Sequence, residues 1–260
     1  MAAHLIEVPP PGAGIYRLAR GPADPYALPD WDRVGQDGTF GNRFDDPAEL
    51  AGVGTDERFR TLYCATQRIT AFGETLARFR PDPTLITKLA LVDDDEPVEA
   101  ALSGAVDPEF PEHGLIPNDW IGRRRIGHAL IDPDNRFVDL GAAESLACLN
   151  TELRSWLRLW GLREVDLSTV TSQHRILTQF AARHIYTLGY AGIRYVSRLD
   201  SSWECWALFE GRFNYQPGSP GFSPSLTPDD PDLAAIARIF ELTIEFMPGG
   251  GSYLRPWMQT

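Results

Sequence analysis

The stretch TLYCATQRITAFGETLARF, residues 61–79, decides the fold because its pattern changes from that of a strand to that of a helix. Residues 59–65 alternate as a strand does, and apolar side chains then recur at helical spacing at Ile69, Phe72, Leu76 and Phe79. The helix is therefore expected to turn this apolar stripe inward. Tyr63 lies on the strand, and Glu74 lies in the helix but off the stripe, where its carboxylate can face a sheet edge or a cleft.

A glycine turn upstream of this strand carries a lone arginine. The sequence GNRFDDP, residues 41–47, predicts a tight turn that presents Arg43. Residues 15–19 alternate in character and predict an earlier strand that contains Arg17. Between the two, residues 23–40 are rich in Pro, Asp and Gly, which predicts a long loop.

Downstream, helical periods predict three more helices. Residues 144–160 repeat apolar side chains at spacings of three and four, which predicts one helix that stops at a glycine. The same pattern predicts helices over about 172–188 and over 232–246. A further strand is predicted over 84–92.

Two alternating segments near the end of the main domain predict a β-hairpin. They are residues 193–199 and 203–209, joined by a short Asp-Ser-Ser connection. Alternation places Ser197 on the same face as Ile193 and Tyr195. This face is expected to be buried, so Ser197 is predicted to lie inside the protein.

The order of these elements predicts an α+β fold with a mixed, mainly antiparallel sheet and flanking helices, because strands and helices do not alternate regularly. One domain is expected over residues 15–211. Residues 1–14 are predicted to be a flexible N-terminal arm, and residues 212–260 a Gly- and Pro-rich connection, a C-terminal helix and a loose tail.

Composition excludes several classes of function. A net charge of −12 argues against a protein that binds nucleic acid by neutralising phosphates. Neither a signal peptide nor a long apolar run is present, which favours the cytoplasm. The three cysteines are odd in number and far apart, so reduced thiols are expected, and the histidines show no metal-ligand spacing.

The set of short motifs, taken in order, resembles the RES domain family. The motifs are Tyr-Arg at residues 16–17, Gly-x-Arg-Phe at 41–44, Thr-Leu-Tyr-x-Ala at 61–65, Ala-x-x-Glu at 71–74 and Gly-Ile-Arg-Tyr-x-Ser-Arg at 192–198. The family is named for an arginine, a glutamate and a serine, which would here be Arg43, Glu74 and Ser197. The resemblance covers residues 15–210.

This resemblance implies a fold related to the ADP-ribosyltransferases and an enzyme that consumes NAD, with water or inorganic phosphate as acceptor. It also implies the toxin half of a toxin–antitoxin pair with an Xre-like antitoxin. Glu74 would stabilise the oxocarbenium-like state of the ribose, and Arg17 and Arg43 would bind phosphate groups. Tyr63 would offer its ring to the nicotinamide, and Ser197 would donate to a phosphate oxygen. Arg43, Glu74 and Ser197 are the expected catalytic residues.

Simpler interpretations of these residues remain open on the sequence alone. Glu74 could form a helical ion pair with Arg78, and Arg43 could pair with Asp45 or Asp46. Tyr63 could be a core residue, and Ser197 could bond a backbone carbonyl. For the whole protein, ADP-ribose transfer to a protein target, a non-catalytic binding module and a homodimer also remain open.

Overall fold

The computed structural model describes residues 4–21, 24–52, 54–80, 114–172, 175–217 and 225–245. Its centre is an eight-stranded sheet in the order β1-β6-β7-β8-β3-β2-β5-β9. The strands are β1 (Glu7–Val8), β2 (Ile15–Arg20), β3 (Thr61–Ala65), β5 (Arg124–Ile131), β6 (Phe137–Asp139), β7 (Gly192–Val196), β8 (Glu204–Phe209) and β9 (Tyr215–Pro217). The β6–β7 pair is parallel and the other neighbours are antiparallel. The predicted α+β class with a mainly antiparallel sheet is confirmed.

Helices pack against the face of the sheet that carries Tyr63 and Cys205. They are α1 (Arg68–Leu76), α2 (Asn118–Gly122), α3 (Ala143–Glu152), α4 (Arg154–Leu159), α5 (Leu167–Thr171), α6 (Arg175–Thr187) and α7 (Pro231–Ile239). Short 3₁₀ turns occupy Trp31–Arg33, Ala48–Ala51, Thr55–Glu57 and Ala77–Phe79. A separate parallel pair joins β4 (Leu115–Ile116) to β10 (Thr243–Ile244). Among the described residues, no helix is long and apolar enough to cross a membrane.

The two faces of the sheet bury different side chains. On β3 and β8, Tyr63, Cys205 and Ala207 face a core that α3, α4 and α6 cover. Leu62 and Cys64 alternate with them and face a second core on the other side of the sheet. A third core lies between α1 and α7. This alternation is the period of two that the sequence predicts for these strands.

The predicted central elements are present, with one break. The strands at 15–19 and 59–65, the hairpin and the helices near 68–79 and 175–187 all form. The helix predicted over 144–160 is instead two helices, α3 and α4, that meet at Leu153. Leu153 and Leu157 are both buried, so the apolar repeat continues across the break and hides it. The strand predicted over 84–92 lies outside the described residues.

The two ends of the chain carry more structure than their composition predicts. Glu7 and Val8, within the predicted N-terminal arm, pair with β6, and Leu5 is buried. At the other end, the helix predicted over 232–246 stops at Ile239. Glu241 then takes a positive φ of 57°, and the chain leaves the helix to form β10. The Gly-rich tail lies outside the described residues.

Candidate functional site

Glu74 and Ser197 meet across the gap between α1 and the end of β7. The Ser197 hydroxyl donates a short hydrogen bond to Oε1 of Glu74. Ser197 is buried, and its Oγ also accepts a hydrogen bond from the backbone N–H of Leu199 at 2.9 Å. The structure therefore brings together two residues that are far apart in the sequence, and it fixes the direction of the serine hydrogen.

A tryptophan sets the distance between these two elements. Trp203, in the β7–β8 connection, lies against α1 at Gly73, so closely that a Cβ on residue 73 would overlap its ring. The carbonyl of Trp203 accepts from the N–H of Ser197 at 2.8 Å. Gly73 precedes Glu74, and Trp203 closes the turn that Ser197 opens. The glycine thus permits the close approach at which the Glu74 carboxylate reaches Ser197.

Arg43 lies on the same side of the sheet, over the ring of Tyr195. Its guanidinium carbon is 4.9 Å from the centre of the Tyr195 ring and 5.6 Å from that of Phe44. One of its terminal nitrogens donates to the carbonyl oxygen of Val170 at 3.3 Å. These contacts hold the cation by its flat face and by one N–H, which leaves further donors of the planar guanidinium for a ligand.

The turn that carries Arg43 is held by a buried carboxylate and by the hydroxyl of Tyr63. Asp45 is 2% exposed. Its Oδ2 accepts from the N–H of Asn42 at 2.6 Å, and its Oδ1 accepts from the Tyr63 hydroxyl at 2.9 Å. The Tyr63 oxygen in turn accepts from the N–H of Phe44 at 2.9 Å. Residues on both sides of Arg43 are therefore tied to strand β3.

Helix α6 supports the same turn from the other side. Arg183 pairs with the buried carboxylate of Asp46 at 3.1 Å, and the Gln179 amide donates to the carbonyl of Asn42 at 3.1 Å. Gly41 opens the turn with a φ of 75°, in the left-handed region that favours glycine. The turn is thus fixed at its start, at Asn42 and at Asp46, with Arg43 between these points.

Charges from both halves of the site act on Tyr195 and Cys205. Burial chiefly raises the pKa of the Tyr195 phenol well above its ordinary value; Cys205 and Glu74 add to this, and Arg43 opposes it. Burial likewise raises the pKa of the Cys205 thiol, with Glu74 again adding and Arg43 opposing. Both groups stay neutral near pH 7. The arginine and the glutamate therefore both lie close enough to this patch of the sheet to act on the same two side chains.

Arg17 is the predicted site residue that the structure does not bring to this patch. By alternation along β2 its side chain points to the same face as Ile15 and Cys64, opposite to Tyr63. It donates a short hydrogen bond to the carbonyl of Pro25. Burial lowers the pKa of its guanidinium, against the opposite effects of Cys64, Tyr26 and Asp24. In this structure Arg17 anchors the loop that follows β2.

The contacts bear on the simpler interpretations of the other four residues. The Glu74 carboxylate accepts from Ser197, and Asp45 and Asp46 take the partners described above in place of Arg43. Tyr63 is half-buried with a satisfied hydroxyl, as its simpler interpretation has it. The partner of Ser197 is a side chain and not a backbone carbonyl.

Two residues of the site were not singled out by sequence reasoning. Tyr195 lies in the core, as the alternation predicts, but it also carries Arg43 on its ring, which the sequence does not predict. The sequence indicates Asp45 only as a possible partner of Arg43. The alternation that placed Ser197 could have indicated Tyr195, whereas the contacts of Asp45 depend on long-range pairing.

Metal-ligand spacing, cysteines and cavities do not indicate a second functional site among the described residues. No group of three His, Cys, Asp or Glu side chains among them is arranged to hold a metal ion. All three cysteines are free. A surface cavity of about 400 Å³ is lined by Pro10, Pro11, Gly12, Leu130, Ile131, Asp132, Pro133 and Gln216. It shares no residue with the Arg43–Glu74–Ser197 cluster.

The fold and site thus define an α+β protein in which an arginine, a glutamate and a serine converge on one face of a curved sheet. The RES domain family matches residues 15–221, and the chain belongs to that family. No functionally curated protein matches significantly. Among solved structures, the chain is similar to the crystal structure of the M. tuberculosis MbcT–MbcA toxin–antitoxin complex. The identity is 13%, 91% of each chain is covered, and the TM-score is 0.44.

Proposed function

We propose that this protein is an NAD-consuming enzyme that cleaves the bond between nicotinamide and ribose, with water or inorganic phosphate as acceptor. The observation that carries the proposal is the Ser197–Glu74 hydrogen bond on the sheet face that also holds Arg43. Membership of the RES domain family supports it as well. A carboxylate and a guanidinium at one buried patch suit a ligand that combines a reactive sugar with phosphate groups.

Glu74 would act on the sugar. When the C1′–nitrogen bond breaks, its electron pair leaves with nicotinamide, and positive charge develops on the ribose ring. A fixed carboxylate beside the ring stabilises that charge in the transition state more than in the bound substrate, which accelerates bond cleavage. An oxygen of water or phosphate then forms the new bond to C1′, and water releases its proton. Ser197 keeps the carboxylate in place, since its single hydrogen is donated to Oε1.

Arg43 would bind the diphosphate. A planar guanidinium forms paired hydrogen bonds with phosphate oxygens, and the Tyr195 ring beneath it limits its movement. Tyr63 lies on β3, and its hydroxyl donates to Asp45 and accepts from the N–H of Phe44. Its ring remains the candidate surface for nicotinamide. Arg17, which lies on the other face of the sheet, would have no contact with this ligand unless β2 rearranged.

The test is direct assay of the purified chain with NAD, with and without inorganic phosphate, and with separation of the products. Free ADP-ribose indicates water as acceptor, and a phosphorylated ADP-ribose indicates phosphate. ADP-ribose found on added protein, by mass spectrometry, indicates transfer to a protein instead. A folded chain that leaves NAD intact under all three conditions refutes the proposal.

A substitution connects the activity to the site. Glu74→Gln removes the charge but keeps an oxygen that can accept from Ser197, so the fold should persist. The rate is expected to fall by roughly 100-fold, the scale of losing one group that stabilises transition-state charge. Glu152→Gln, the same change at an exposed position of α3, is the matched control and should retain the rate. Equal rates in the two variants would mean that Glu74 is not the catalytic carboxylate.

The biological role we propose is that of a toxin controlled by an Xre-like antitoxin, as for the RES family in general. The net charge of −12 favours a division in which the antitoxin carries the DNA-binding function. Expression of the wild-type chain should arrest bacterial growth, and expression of the Glu74→Gln variant should not. If the wild type and the Glu74→Gln variant arrested growth equally at the same protein level, toxicity would not depend on the proposed catalytic site.

A further inference from the structure

Helix α7 lies beyond the part of the chain that matches the RES family. The match ends at residue 221, and α7 begins at Pro231. It packs directly on α1, the helix that carries Glu74. We propose that α7 is a brace for the glutamate helix and that Arg68, Asp230 and Asp232 are positioning residues for Glu74. The catalytic part of this inference rests on the proposed function.

An ion-pair cluster fastens the start of α1 to the start of α7. The Arg68 guanidinium donates to both oxygens of Asp230, at 3.1 and 2.5 Å, and it forms a shorter bond to Asp232. Its guanidinium carbon lies 5.0 Å from the centre of the Phe72 ring in the same helix. One arginine thus holds two carboxylates while resting on an aromatic ring, a geometry that fixes its direction.

Asp230 also caps helix α7, which ties the cluster to the start of that helix. Its carboxylate caps α7 by accepting from the N–H groups of Asp232 at 3.0 Å and Leu233 at 3.3 Å. Pro231 occupies the first turn of the helix, where a missing N–H is tolerated. The residue that starts α7 is therefore also the residue that Arg68 holds, so the register between the two helices is set at this point.

Buried apolar side chains continue the contact along both helices. Phe72 and Leu76 of α1 and Leu233 and Ile236 of α7 are all completely buried in one core. Past the end of α7, the ring of Phe240 lies 6.4 Å from that of Trp203. Trp203 is the side chain that fits against Gly73. The α7 segment therefore supports α1 on one side and the Ser197 turn on the other.

The consequence for the site follows from where Arg43 lies. The turn that carries Arg43 is held by β3 and α6, and the Arg43 guanidinium lies on the Tyr195 ring and donates to Val170. None of these contacts involves Arg68, Asp230 or Asp232. Loosening α7 should therefore shift Glu74 relative to Ser197 while the arginine turn keeps its place. For an enzyme in which Glu74 acts in the transition state and Arg43 binds phosphate, kcat should fall and KM should change little.

The double variant Asp230→Asn, Asp232→Asn tests this in the full-length chain. Asparagine can still cap α7, so the change removes charge from the cluster without removing the cap. The matched control is Asp119→Asn, which neutralises the exposed carboxylate of the Asp119–Arg123 pair. Hydrogen–deuterium exchange of residues 68–76 reports the brace directly, with residues 175–187 as the internal reference.

We expect exchange in residues 68–76 of the double variant to accelerate by about 5-fold, the scale of losing partly buried ion pairs, with no change in the control. We expect kcat to fall with an unchanged KM. Unchanged exchange would overturn the brace, whether or not the protein acts on NAD. Faster exchange with an unchanged kcat in an active wild-type background would overturn the positioning role. Absence of NAD turnover by the wild type would refute the proposed function and leave the exchange result to decide on the brace.

Discussion

Removal of the Tyr63 hydroxyl tests the support of the arginine turn. In the Tyr63→Phe variant the N–H of Phe44 loses its acceptor and Oδ1 of Asp45 loses its donor. Because a buried polar group without a partner costs about 1–3 kcal/mol, the two losses together should lower the free energy of unfolding by about 2–6 kcal/mol. Because each kcal/mol lowers Tm by about 2–4 °C in a chain of this size, a decrease in Tm of at least about 4 °C is expected.

The loss should also depend on pH, because the group left behind is a buried carboxylate. Burial raises the pKa of Asp45 above its ordinary value, while Asn42 and Tyr63 oppose that rise. With a raised pKa in the folded state, the folded protein takes up the proton before the unfolded chain does. The contribution to stability is therefore present at low pH and is lost as pH rises through the folded pKa.

The variant lacks one of the groups that hold this pKa down, so its pKa should rise further. Stability should then be lost over a window that extends to higher pH than in the wild type. The difference between wild type and Tyr63→Phe is consequently expected to be larger near about pH 7 than near about pH 4.5. Urea unfolding at the two pH values measures this difference as the change in the free energy of unfolding.

A matched control separates the hydroxyl of Tyr63 from tyrosine hydroxyls in general. Tyr190 donates to Glu7 at 3.0 Å on the surface, so Tyr190→Phe should cost less than about 0.5 kcal/mol. Two results would refute the reasoning. One is a Tyr63→Phe variant as stable as Tyr190→Phe, and the other is a deficit that does not change with pH.

Two glycine substitutions test the local geometry around the site. Gly73→Ala should lower stability by about 1–3 kcal/mol in a thermal unfolding assay, because the new methyl group overlaps the Trp203 ring. Gly122→Ala, which has open space at its Cβ, should be neutral or slightly stabilising in the same assay. Equal Tm values would mean that Trp203 moves aside freely. Gly41→Ala should cost about 1 kcal/mol because its φ of 75° strains any residue with a Cβ, and Gly12→Ala, at an unstrained and open position, should not.

The elements that sequence reasoning predicted are those whose period is visible over several residues. Strand β3, helix α1 and the β7–β8 hairpin follow from alternation and helical spacing. The face of Ser197 followed from the same alternation. In contrast, β1 has only two residues, too few to show any period, and its position depends on pairing with β6. The break between α3 and α4 leaves the apolar repeat intact, so periodicity could not reveal it.

The sequence likewise predicts one part of the candidate site and not the other. The resemblance of the ordered motifs to the RES family implied Arg43, Glu74 and Ser197, which the structure places around Tyr195. The pairing of the charged side chains could not be predicted from the sequence, because it depends on contacts between distant parts of the chain. Asp45 could have paired with Arg43, but its buried carboxylate instead accepts a hydrogen bond from the Tyr63 hydroxyl of β3. Similarly, the face of Arg17 depends on the register of β2 with β3.

The geometry of Ser197 limits what this residue can do in the proposed reaction. A hydroxyl has one hydrogen and two lone pairs. In this structure the hydrogen goes to Glu74, and one lone pair receives the N–H of Leu199. The expectation that Ser197 donates to a phosphate oxygen therefore requires that it release Glu74, the group whose position matters most for the developing positive charge. Arg43 has several N–H donors, of which one is used by Val170, so it can bind phosphate without giving up its anchoring contact. For the proposed reaction, the arginine is thus the better phosphate ligand, and the serine serves the reaction best by holding the carboxylate.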